Sequence, residues 1–101
     1  MKAAALFLAM TFLVPIAASA ENACEVISRL ARQVMTGRQN GVPLTDMMTG
    51  AEQGDAKVAD LTRAIILAAY EVPRYNTERI KQQEITDFEN TVALQCYKSM
   101  S

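Results

Sequence analysis

The amino-acid sequence predicts an all-α fold, a small disulfide-closed helical bundle of three longer helices and one short helix that follows a cleaved signal peptide. Three observations lead there. Apolar residues recur at steps of three and four through most of the chain, and no run of period-two alternation rich in β-branched residues interrupts them. The only two cysteines, Cys24 and Cys96, stand near opposite ends of what remains once a leader is removed. The leader is legible in residues 1–20, which leaves a single helical domain over 21–101.

Met1-Lys2 gives the leader a short positive start, and Ala3 to Val14 is an apolar run too short to anchor stably across a bilayer. Pro15 then interrupts the helix, and Ala18-Ser19-Ala20 offers the small residues that signal peptidase requires, so cleavage is expected after Ala20. A retained membrane anchor would require that site to be ignored. A lipidated Cys24 would need a small apolar triplet with a leucine before it, and Glu21-Asn22-Ala23 stands there instead.

Removing the leader takes away Lys2 and no acid, so ten Lys and Arg against eleven Asp and Glu become nine against eleven. That small acidic surplus, with bases scattered among acids, argues against a nucleic-acid partner, which a clustered basic excess would announce. A domain of this size has a marginal core and needs a staple. Export would place both cysteines in an oxidising compartment, where they are expected to pair. Closing so long a loop contributes up to about 4 kcal/mol in the chain-entropy account. Metal binding is the competing reading of two cysteines, but a chain without histidine would have to complete a zinc site with carboxylates. No metal and no cofactor is expected.

The first helix is read from Ala23, Val26, Ile27, Leu30, Val34 and Met35, spaced by threes and fours. It is expected to end near Gly37, with Arg38-Gln39-Asn40-Gly41 forming an exposed polar turn. Cys24 lies one residue off the stripe, on the side of Ile27 and Ala31, so its sulfur can face inward. Val42-Pro43-Leu44 reads as extended, and Thr45 as the N-cap of a short helix with Asp46 in its first turn. Leu44, Met47 and Met48 are expected to seal one end of the core, and Gly50 and Gly54 to keep this helix short.

Asp55 is the expected N-cap of the most apolar helix, whose inward stripe is read as Val58, Leu61, Ile65, Ala68, Ala69 and Val72, widened by Ile66, Leu67 and Tyr70. Lys57, Asp60, Arg63 and Glu71 form a narrow polar face, which makes this the central helix. Pro73 stops it. The last helix begins at Asn76 or Thr77 with Glu78 in its first turn, and its inward stripe settles at Ile85, Phe88, Val92 and Cys96.

Catalytic constellations are missing from this pattern. Without histidine there is no imidazole base and no Ser-His or Cys-His nucleophile, and the four glycines form no phosphate loop. A two-carboxylate hydrolase would need a cleft that so small a bundle has no room to enclose. The segment Tyr70-Glu71-Val72-Pro73-Arg74-Tyr75 draws attention instead, because aromatic and arginine side chains on a stiff connection are common interface anchors. Tyr70, Glu71, Pro73, Arg74 and Tyr75 are therefore the candidate interaction residues. The competing structural reading has the tyrosines capping the core and Arg74 pairing locally. The methionines Met35, Met47, Met48 and Met100 form either a pliable binding surface or ordinary packing.

Ala31-Arg32-Gln33 with Met35, Arg38-Gln39-Asn40-Gly41, Ala69-Tyr70-Glu71 and Pro73-Arg74-Tyr75, followed by Phe88 and Cys96, resemble small exported proteins of phage and proteobacterial genomes. The resemblance covers nearly the whole mature chain and implies a Gram-negative periplasm, but it carries no activity or ligand. In size and cysteine number the chain is also similar to the helical acid-stress chaperones of that compartment, from which its helix and cysteine spacing departs. The reading is a non-enzymatic periplasmic interaction protein whose partner is another periplasmic protein, with no membrane anchor after cleavage. An acid- or stress-responsive chaperone and an immunity or inhibitor protein against an exported toxin or lytic enzyme are the alternatives.

Overall fold

A computed structural model describes residues 23–100, so the expected leader over 1–20 and the expected cleavage after Ala20 lie outside the described residues. The chain folds as an all-α bundle: α1 over residues 23–39, the short α2 over Leu44–Ala51, α3 over Ala56–Tyr70 and α4 over Glu78–Met100. One cluster joins all four, with Ala31, Val34 and Met35 from α1, Ala51 from α2, Ile65, Ile66 and Ala69 from α3, and Ile85 and Phe88 from α4. The expected stripe of α4 is the observed one, with Val92 packed against the cluster beyond Phe88.

The Cys24–Cys96 disulfide forms, with the Cα atoms 5.7 Å apart, and ties the start of α1 to the end of α4. Cys24 is fully buried, as its side of α1 required. Met100 lays its thioether sulfur 3.2 Å from the Cys24 sulfur, a sulfur–sulfur contact that closes this end of the bundle.

Several boundaries and faces differ from expectation. Helix α1 does not stop near Gly37 but runs through Gln39, because the left-handed residue is Gly41 at φ +87°. Gly41 N–H returns to Arg38 O at 3.1 Å and Val42 N–H to Gly37 O at 2.9 Å, the paired bonds of a Schellman cap. Ala23 and Val26 are exposed, and the buried face of α1 runs through Cys24, Ala31, Val34 and Met35. Pro43, rather than Thr45, takes the N-cap position of α2, since its carbonyl accepts from Met47 N–H at 3.2 Å and starts the helix at Leu44. Leu44 is consequently exposed, while Met47 and Met48 pack on the core as read.

Helix α3 is where the inward stripe was drawn too wide. Its buried residues are Ala59, Ile65, Ile66 and Ala69, whereas Val58, Leu61, Leu67 and Ala68 are exposed. Packing against α1 and α2 covers one side of a helix that is apolar on more than one. It ends at Tyr70, two residues before the expected Val72, with Val72 N–H turned back to Ala69 O at 3.1 Å.

Candidate interaction surface

The two polar segments singled out in the sequence, Arg38 to Gly41 and Tyr70 to Tyr75, meet in space. Their meeting point is Gln39, which is not in an exposed turn but fully buried on the last turn of α1. Its amide nitrogen donates to Pro73 O at 2.9 Å and its amide oxygen accepts from Tyr75 N–H at 2.9 Å. Because Pro73 O can only accept and Tyr75 N–H can only donate, the orientation of the amide is fixed by its partners. The Gln39 carbonyl, one of the acceptors that every helix C-terminus leaves over, receives Arg74 Nε at 3.1 Å and Lys81 Nζ at 2.9 Å. Two cations at that negative helix end are favourably placed.

Tyr70 donates its hydroxyl to Val42 O at 2.5 Å, and the Arg38 guanidinium lies over its ring at 5.0 Å while Arg38 Nε reaches Val72 O at 3.1 Å. Burial pushes the Tyr70 phenol above its ordinary range; Arg38 opposes the shift and Asp46 adds to it. The Arg74 guanidinium rests against Gly41, close enough that a methyl group there would come within 2.9 Å of it. Pro73, Arg74 and Tyr75 thus bond Gln39 at the end of α1 and Tyr70 bonds Val42 just beyond it, while Glu71 is exposed. The arrangement fastens the α3–α4 connection to α1.

A different face is open. Between α3 and α4 runs a groove of about 470 Å³, walled by Leu61, Ala64 and Ala68 on one side and by Phe88, Val92 and Cys96 on the other, with Ile27 of α1 at its floor. The two flanking helix backbones hardly come within 8 Å of each other, which is what leaves the space. Every lining residue is uncharged. The polar ones, Thr91, Gln95 and Ser99, follow at steps of four along α4, and two of them turn their hydroxyls back onto the helix, Thr91 to Asp87 O at 2.9 Å and Ser99 to Cys96 O at 2.8 Å. A broader depression of about 510 Å³ lies on α4 among Glu78, Arg79 and Asp87 and is an ordinary charged, solvated face.

The groove walls were legible as apolar residues but assigned to the core. The available signal was the number of apolar positions on α3, more than one buried stripe of a fifteen-residue helix can take up. Among the described residues no three acidic or cysteine side chains gather as a metal site, and no helix is long and apolar enough to cross a membrane. Comparison with protein-family models, with curated proteins and with solved structures found no match.

Proposed function

We propose that this chain is an exported, non-enzymatic interaction protein that seats an apolar helix in the groove between α3 and α4. The observation that carries this reading is an open groove of about 470 Å³ along two helices whose lining holds no charge and no group able to give or take a proton, Cys96 being locked in its disulfide. Helices in contact lie roughly 8–10 Å apart, and the small side chains of Ala64 and Ala68 allow that approach. Leu61, which lines the gap, remains 40% exposed, apolar area that a partner helix would cover. The Tyr70 to Tyr75 connection supports this surface from below by fixing the end of α3 to α1. The disulfide accords with an oxidising compartment.

Placing a photo-reactive amino acid at Ala68, and separately at Gln83 on the polar side of α4, tests the assignment in protein recovered from its native compartment. Irradiation is expected to give a covalent protein adduct from position 68 and none from position 83. Equal labelling from the two positions, or none from either, would remove the groove as the contact surface.

A further inference from the structure

We propose that the helix seated in this groove is α3 of a second copy of the same chain, so that the protein self-associates as an antiparallel α3–α3 pair; the inference rests on the groove reading. Lys57, Leu61, Ala64 and Ala68 of α3 and its C-cap Glu71 form an exposed stripe spaced by threes and fours. Their order is self-complementary. Lys57 stands seven residues before Ala64 and Glu71 seven after it, so a two-fold axis through Ala64 brings Lys57 of one copy level with Glu71 of the other. The same axis brings each Leu61 level with Leu67 of the second copy, two exposed apolar side chains that the pairing would cover.

Charge decides the direction. A parallel pairing would oppose Lys57 to Lys57 and Glu71 to Glu71, whereas the antiparallel one pairs opposite signs at both ends. Asp60 on the same helix already pairs with Arg63, while neither Lys57 nor Glu71 has an ion-pair partner among the described residues. The α4 wall, with Thr91, Gln95 and Ser99, adds no charge that would repel either end of the incoming helix. Fifteen residues make α3 roughly 22 Å long, enough for both charge pairs and the alanine crossing to engage at once.

Sedimentation equilibrium of the exported chain, from micromolar to near-millimolar concentration at low salt, tests this with Lys57→Glu, Glu71→Lys and the double exchange. The wild type is expected to form a concentration-dependent dimer. Each single reversal should weaken it about tenfold or more, since two favourable exposed pairs become two like-charge contacts, and the double exchange should restore it. Helix content by circular dichroism and an intact disulfide establish that each variant is folded. A monomer at every concentration, or a dimer indifferent to the charge variants, overturns the proposal. Uptake of the uncharged dye N-phenylnaphthylamine separates its failure from that of the groove itself. A monomer that binds the dye, and loses it in Leu61→Arg, overturns the second copy and keeps the groove; a monomer that binds none overturns both.

Discussion

Gln39 is a polar side chain with no exposure to water, and its amide is matched atom for atom by Pro73 O and Tyr75 N–H. Among the described residues no buried side-chain nitrogen or oxygen lacks a partner. Such a network ties geometry to sequence more tightly than apolar contact does, because an amide out of register leaves buried groups unpaired at about 1–3 kcal/mol each. Tyr70 belongs to the same region and makes its state measurable. Its hydroxyl must keep its proton to donate to Val42 O, and burial holds its folded-state pKa above the ordinary 10.0. The unfolded chain therefore loses the phenol proton first, and the stabilisation is complete below pH 10 and fades as pH rises through the folded value. Comparing urea unfolding of the wild type and Tyr70→Phe from neutral to strongly alkaline pH should show the wild type ahead by about 1 kcal/mol at neutrality. That lead should shrink above pH 10; a difference constant with pH would mean that the phenol does not act through its proton.

At the scale of the helix, what the sequence reveals depends on how many faces an element buries. α4 was legible because its apolar residues form one narrow stripe, Ile85, Phe88, Val92 and Cys96, and polar residues flank it as far as Val92. α3 was legible as a helix but not in its orientation, since Leu61, Leu67 and Ala68 continue the apolar surface past the buried Ile65, Ile66 and Ala69, and periodicity alone does not say which side meets the core. The end of α1 was misplaced for a related reason. Two glycines compete for the cap, and only a backbone at positive φ tells Gly41 from Gly37. Nor does sequence show that Gln39 and Pro73, 34 residues apart, are hydrogen-bonded. Truncation discriminates the two sides of α3. Ile66→Ala should cost about 2–5 kcal/mol because it opens a cavity in the core. Leu61→Ser, on the open side, should leave the stability of the isolated subunit within about 0.5 kcal/mol of the wild type. Thermal unfolding of dilute protein measures both, and a Leu61→Ser loss as large as that of Ile66→Ala would put Leu61 in the core and close the groove.

For the whole molecule, two fastenings at opposite ends hold the bundle, and they are chemically unlike. One end is the hydrogen-bonded knot around Gln39, Arg74 and Lys81. The other is the disulfide, which joins residues 72 apart in sequence. The deeply buried residues of α4 are Ile85 and Phe88, and beyond Val92 the helix exposes Leu94, Tyr97 and Met100. Cys96, together with Met100 against the Cys24 sulfur, attaches the last turns inward, and it also lines the groove. Breaking the bridge should consequently act in two ways. Globally, Cys24→Ser with Cys96→Ser should lower stability by up to about 4 kcal/mol, the chain-entropy figure for a loop of this length. Locally, amide hydrogen exchange should quicken most in residues 93–100 and least around Gln39, whose partners do not involve the bridge. N-phenylnaphthylamine uptake by the groove should fall with the second, local change. Exchange that quickens evenly along α4 and α1 would instead show that the sulfur bridge acts only on the unfolded chain, and the groove would then owe its shape to the helices alone.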